Sequence, residues 1–360
     1  MHIPDGYLSP STCTALYALA ISAWYAALKR IKRMFSTRAI PLISVFAAFS
    51  FVVMMFNVPL PGGTTGHALG VAVAAIVLGP WGSMLAISIA LAIQALFFGD
   101  GGITTLGANC FNMAVVGSFV AYAVYRTIAA AADLGSRRRV FAAAVAGYVA
   151  INAAALLAAV EFGIQPMLFH DASGSPLYAP YPLHVAIPAM MIGHLTLAGL
   201  AEAVISAGMV SYLQVADPGL LRGSASFAQS APASAMAVAS ASEKRLWVPV
   251  ALLMLLTPVG VLAVGTAWGE WSAADFANPA TRTQIADASQ NELPPAAVPA
   301  GLHRLSTLWT APFPAYAPAF IKHPAFGYLL SAMFGVGFLV LLSLIPGAVS
   351  KKWQRRELRT

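Results

Sequence analysis

Charge is scarce in this sequence. Only 9% of its 360 residues are Asp, Glu, Lys or Arg, about a third of the share in a soluble globular domain, so lipid is the expected solvent for most of its surface. Cysteine is scarcer still. Cys13 and Cys110 are far apart and both lie in apolar surroundings, which excludes a disulfide framework and a thiolate zinc site and leaves both as small core residues. Catalytic signatures are missing as well. No Gly-x-x-x-x-Gly-Lys-Ser/Thr phosphate loop occurs, so the chain cannot hydrolyse ATP by that route, and neither His-Glu-x-x-His nor Gly-x-Ser-x-Gly is found. Nothing in the sequence argues for an enzyme. No internal repeat of the kind that marks inverted-repeat carriers is visible. The N terminus lacks a basic n-region, and Pro4, Asp5 and Gly6 precede the first apolar run, so signal-peptide removal is not expected and Met1 is read as the mature start.

What is present is apolar: 59% of the residues are hydrophobic and the mean hydropathy is +0.75. Apolar runs and their breakers predict an all-α, polytopic membrane helix bundle with about nine spans, at 12–33, 38–58, 66–80, 82–98, 106–131, 139–162, 184–215, 246–266 and 325–348. The third is short for a full crossing. Basic residues outnumber acidic ones, 20 to 13, but they sit in short clusters between apolar runs rather than on one soluble face, which excludes a nucleic-acid reader. Placing the N terminus outside and alternating puts Lys29, Arg30, Lys32, Arg33, Arg38, Arg126, Arg137–Arg139, Arg222, Lys244, Arg245 and the basic C terminus inside. That asymmetry requires 66–80 to count as a crossing, and it leaves the C terminus inside. An Ala/Ser-rich stretch, 216–243, reads as a flexible linker. It divides a seven-span domain, 1–215, from a two-span domain, 244–360, whose spans flank an external loop at 267–324 dense in Pro and Ala.

Chemistry concentrates at the start of the chain. Methionine aminopeptidases require a small second residue, and His2 is not small, so Met1 keeps its free amine. The Met1 amine, the His2 amide nitrogen and the His2 imidazole close two adjoining chelate rings in one plane with the fourth corner open. Planar nitrogen coordination suits nickel(II) or copper(II) rather than zinc, magnesium or calcium. His67 lies in the turn Pro59-Leu60-Pro61-Gly62-Gly63-Thr64-Thr65-Gly66-His67, on the same predicted side as Met1. Two readings stand for it: the imidazole fills the fourth corner, or it caps polar groups at a helix start.

Met1-His2-Ile3-Pro4-Asp5-Gly6-Tyr7-Leu8-Ser9-Pro10, Gly62-Gly63-Thr64-Thr65-Gly66-His67, Gly79-Pro80-Trp81, Gln94-Ala95-Leu96-Phe97-Phe98-Gly99-Asp100-Gly101-Gly102 and Gly107-Ala108-Asn109-Cys110-Phe111-Asn112-Met113 together resemble the NikM/CbiM family, the substrate-capture (S) component of nickel and cobalt energy-coupling factor (ECF) transporters. In the second domain Thr257-Pro258-Val259-Gly260, Gly265-Thr266-Ala267-Trp268-Gly269-Glu270-Trp271 and Gly327-Tyr328-Leu329-Leu330-Ser331-Ala332 resemble NikN, a small two-helix partner often fused to the capture protein. The resemblance implies a metal held by Met1, His2 and His67, and a seven-helix capture domain. It implies Ni(2+) or Co(2+) as transported substrate with no cofactor bound permanently, and a separate transmembrane coupling (T) component and ABC-type ATPase subunits as partners. The implied location is a bacterial or archaeal cytoplasmic membrane. Nickel is preferred on the fused tail and the planar site; cobalt uptake for cobalamin synthesis is the alternative.

Gln94, Asp100, Asn109 and Asn112 lie in or beside the loop between the fourth and fifth spans. They either orient the ligating imidazoles from behind or simply cap helices and tie loops together. Glu202 lies inside the seventh span with His194 eight residues before it, about 80° away around a helix, so the two do not form an obvious pair. An intramembrane carboxylate is either a proton-path group or a buried structural one. The first option, with Glu161, describes an ATP-independent secondary carrier; a membrane-embedded metalloenzyme is a further rival. His170 and His184 flank an external Pro-rich loop and His303 and His323 sit in the later one; they either collect metal transiently or, the commoner case, are simply solvated.

Overall fold

A computed structural model describes residues 1–34, 39–222, 233–263 and 265–357. The described residues are mostly helical: α1 (Pro10–Met34), α2 (Ala39–Met54), α3 (Val71–Phe98), α4 (Leu106–Ala129), α5 (Arg137–Leu168), α6 (Leu183–Ala216), α7 (Ala233–Leu256), the short α8 (Ala273–Ala277), α9 (Pro279–Ala288) and α10 (Ala300–Leu305), and α11 (Pro324–Glu357). A small antiparallel hairpin, β1 (Val58–Leu60) with β2 (Thr64–Gly66), follows α2. Among the described residues seven helices are long and apolar enough to cross a membrane. Helix α1 exposes Leu19, Ile21, Tyr25 and Leu28, a face suited to lipid. By contrast α2 buries Phe46, Ala47, Ala48, Phe51, Val52 and Val53 completely, as a helix apolar on every side must.

The predicted third and fourth spans are two legs of α3. At Gly79 the backbone leaves helical space, with φ 72° and ψ 169°, a conformation that glycine adopts without steric cost, and Pro80 opens the next leg with a preset φ. The break is a reversal. His67 and Asp100 both lie against His2, whereas Trp81 lies beneath the Arg30 guanidinium at the far end of α1. A straight 28-residue helix would be about 42 Å long and could not return to its starting point. The second leg runs antiparallel to α1, with Trp24 donating to Ser88 and Tyr17 donating to the Ile103 carbonyl. The first leg, 71–78, is only about 12 Å long, less than half of the ~30 Å hydrocarbon core. His67 and the start of this leg are therefore sunk into the bundle.

Helix α7 begins inside the stretch 216–243 read as a linker, of which 223–232 lie outside the described residues. The tail packs on the capture bundle through α2. Gly335 lets the Phe51 ring approach to where a Cβ would clash at 2.2 Å, Gly260 does the same for the Met55 carbonyl at 2.3 Å, and Tyr328 donates to that carbonyl.

The stretch 267–324, expected as an external loop, is a folded cap over the Met1 end. Local sequence builds it: Ser272 and Asp275 form a reciprocal capping box at α8, and the Asn278 side chain caps α9 ahead of Pro279. Trp268 anchors it among Phe162, Tyr181 and Trp271 while donating to Ser289. Phe313 and Tyr316 pack against Phe98.

Candidate metal centre

The N-terminal segment is stitched down one residue at a time, and the stitching leaves residues 1 and 2 projecting inward. The Ile3 amide donates to Asn109 Oδ1 at 2.8 Å, and the Ile3 carbonyl accepts from Gly102 N, Asn109 Nδ2 and the Thr105 hydroxyl. Asp5 accepts from the amides of Ile103 and Thr104 and from the Thr104 hydroxyl. The Tyr7 carbonyl accepts from Ala179 N, and its hydroxyl donates to the Trp271 carbonyl. Gln165 Oε1 accepts from Ser9 N. Gly102 has no room for a side chain, because a Cβ there would stand 2.3 Å from Asp5 N.

The result is a buried amine beside two buried imidazoles. Met1 is 3% exposed, His2 1% and His67 6%. The Met1 amine donates to Glu270 Oε1 at 3.0 Å, the carboxylate being supplied by the cap. The His2 and His67 rings meet edge to face with centroids 4.9 Å apart. His67 Nδ1 lies 3.0 Å from the Ala68 carbonyl; a carbonyl only accepts, so Nδ1 carries the proton and Nε2 keeps a lone pair. His2 Nδ1 faces Asp100 Oδ1 at 3.1 Å, yet neither of its ring nitrogens makes a hydrogen bond. Burial first, opposed by the nearby Glu270 charge, lowers the His2 pKa to about 4. Burial and then the adjacent His2 lower that of His67 to about 3. Both rings are thus neutral donors at ordinary pH. Among the described residues no group of three or more His, Cys, Asp or Glu side chains is placed to hold a metal.

The four polar residues predicted nearby divide. Asp100 faces His2 and accepts from the Tyr316 hydroxyl at 2.5 Å and from Gln94 Nε2, which also donates to Tyr316. Burial and the Asp100 charge push the Tyr316 pKa well up, so its hydroxyl stays a donor. Asn109 clamps Ile3, one residue from the site. Asn112 instead donates to Glu161 Oε2 at 2.8 Å, and none of its hydrogen bonds goes to Met1, His2 or His67. Glu202, fully buried, accepts from the amides of Leu69 and Gly70 at 2.6 and 2.9 Å. It caps the short first leg of α3 and fixes the backbone two residues beyond His67. His170, His184, His303 and His323 are exposed, and Cys13 and Cys110 are buried free thiols.

Sequence reasoning missed Glu270 and Tyr316. Both lie in the cap, more than two hundred residues from their partners, and their surroundings give no local pattern; Gly269-Glu270-Trp271 was visible only as part of a resemblance.

The family model described as "Cobalt uptake substrate-specific transmembrane region" matches residues 2–220. The chain belongs to the CbiM family. Its tail is NikN-like and fused to the CbiM region. The fused nickel transport protein NikMN of Rhodobacter capsulatus is 54% identical over 340 residues, covering 94% of this chain and 95% of that protein. The probable fused nickel transport protein LarMN of Lactiplantibacillus plantarum is 38% identical, covering 96% of this chain and 97% of its own length. A crystal structure of a truncated transition metal transporter aligns with a TM-score of 0.56 and 51% identity, over 59% of this chain and 98% of that one.

Proposed function

We propose that this CbiM-family chain is the metal-capture component of an ATP-driven ECF-type nickel importer in the cytoplasmic membrane of a bacterium or archaeon, with its Met1 end outside. Nickel(II) is the substrate, held in a plane by the Met1 amine, the His2 amide and imidazole nitrogens, and the His67 imidazole. One observation supports the reading: the N-terminal residue Met1 and the His2 and His67 imidazoles are buried at one end of the bundle, with the two rings in edge-to-face contact, and among the described residues no cluster of three or more His, Cys, Asp or Glu side chains offers an alternative site. Fused chelate rings from adjacent atoms of one chain enforce planarity, which suits nickel(II). The metal enters as residues 1–9 fold against the 100–109 loop, and the cap closes on the amine through Glu270.

Release requires work this chain cannot supply, since it has no phosphate loop; a transmembrane coupling protein and separate ATPases perform it. Glu202 and Glu161 are engaged by Leu69, Gly70 and Asn112, which favours structural roles over a proton path and weighs against a secondary carrier. Cobalt is the second reading, because the CbiM region is also 34% identical to the cobalt transport protein CbiM of Geobacter sulfurreducens over 224 residues. Nickel is preferred because the relatives that match along the fused tail are nickel transport proteins by name. Copper would bind such a plane at least as tightly, so selectivity against it has to rest on availability or handling.

The test is nickel and cobalt retained by the purified native-terminus protein, alongside His2→Ala and His67→Ala. Loss of metal in both variants is expected; unchanged content in both overturns the assignment, and competitive uptake in cells decides between the two metals.

A further inference from the structure

One nitrogen near this site has no stated purpose. The His194 side chain is 3% exposed, and its Nδ1 lies 2.8 Å from the Met190 carbonyl. Because the carbonyl can only accept, Nδ1 holds the proton and Nε2 keeps its lone pair. Nε2 is sealed from solvent and has no hydrogen-bond partner. An orphaned polar atom of this kind is a cost that folded proteins generally avoid. His194 also opens a π turn, His194–Ala198, inside α6, and such irregularities recur at functional sites. The turn is pressed against the hairpin that leads to His67. Leu60 fills the space where a Cβ on Gly193 or on Gly66 would stand, at 2.7 and 2.8 Å, and Ala198 lies beside Gly66.

We propose that His194 Nε2 is a transit ligand, a neutral nitrogen that bonds the metal ion transiently as it enters or leaves the plane formed by Met1, His2 and His67. The proposal rests on that planar reading. A four-nitrogen plane is complete without His194, so the residue is not needed to hold the ion. Planar nickel(II) exchanges its ligands by attack of a fifth donor from above or below the plane. In that step a bond from His194 Nε2 to nickel forms and the bond from the His67 imidazole breaks; nickel remains divalent, and no proton moves because one neutral imidazole lone pair replaces another. A lone pair held dry in the turn packed against the His67 hairpin supplies such a donor.

The experiment uses the full chain with its native N terminus, loaded with radioactive nickel. Two readings are taken: nickel retained, with its planar-site visible absorption, and the rate at which the label exchanges against unlabelled nickel. His194→Phe fills the space without a donor, and His194→Gln keeps a donor for the Met190 carbonyl if the larger change unfolds the helix. Both variants should retain nickel with the same absorption and exchange it at least roughly tenfold more slowly. Exchange within about twofold of the parent in a folded variant overturns the proposal, and so does loss of retained nickel in His194→Gln, which makes His194 part of the resting site. His67→Ala in the same series separates the two claims. If it retains nickel as the parent does, the planar site itself is wrong.

Discussion

Lengthening the chain ahead of His2 is the sharpest perturbation, because it changes no ligating side chain. The insertion has to be chosen with care. A small residue between Met1 and His2 lets Met1 be removed, which regenerates an amine one residue before the histidine. A single large residue retains Met1 but creates an amine, two amides and an imidazole, a four-nitrogen plane independent of His67. Two lysines inserted between Met1 and His2 avoid both outcomes. They move the amine out of a pocket where Met1 is 3% exposed and deprive Glu270 of its partner at 3.0 Å. A hydrogen bond to a charged group contributes about 1.5–3 kcal/mol, and Glu270 is partly exposed, with 22% of its side-chain surface accessible. The ion-pair loss alone is therefore about 1–2 kcal/mol, a thermal shift of only a few degrees. Metal affinity should suffer far more. Partners that merely support a ligand contribute about 10–100-fold, so removing the donor itself should cost at least about 100-fold. With purification by a C-terminal tag, nickel content after challenge by a competing chelator should fall close to background while circular dichroism stays helical. Parental retention in the two-lysine variant refutes the amine ligand. The one-lysine variant supplies the converse: its nickel retention should no longer depend on His67.

Three further outcomes follow from the packing. Gly102→Ala drives a methyl into Asp5 N at 2.3 Å; overpacking of about 1–3 kcal/mol should lift the N-terminal segment and cut retained nickel, whereas Gly208→Ala, with nothing within 4 Å, should leave retention unchanged and raise the melting temperature slightly. Glu202→Ala strands the buried amides of Leu69 and Gly70, each costing about 1–3 kcal/mol, so both thermal stability and nickel retention should drop; retention at the parental level would show that His67 is positioned without it. Tyr316→Phe removes a donor to Asp100 and should weaken nickel binding by about 10–100-fold in a chelator competition with little change in helix content, and an unchanged affinity would detach the cap from the site.

How much of this was legible depends on the range over which each feature is encoded. Helices are local, and composition placed them; even the reversal inside α3 was legible, because Gly79-Pro80 joins a residue that tolerates positive φ to one that starts a helix. Met1 and His2 were legible for the same reason, since chelating atoms in adjacent residues have their spacing fixed by covalent geometry. Asn112 shows where periodicity stops. It lies in a π turn, Cys110–Val116, and one extra residue in a turn rotates everything after it by an amount that a 3.6-residue period does not anticipate. That rotation sends Asn112 to Glu161 while Asn109 reaches Ile3. Glu270 lay beyond any local rule, because its partner is 269 positions away and a lone carboxylate beside tryptophan reads as solvated. Its placement carries a physical consequence that the fusion accounts for. A cap on a separate chain would have to find the amine by diffusion, whereas a tethered one meets it at a high effective concentration. The Glu270 bond, about 1–2 kcal/mol and too weak to assemble two proteins by itself, is thus added to the aromatic packing of Trp268 on Phe162 and of Tyr316 on Phe98 that seats the tethered cap over the site.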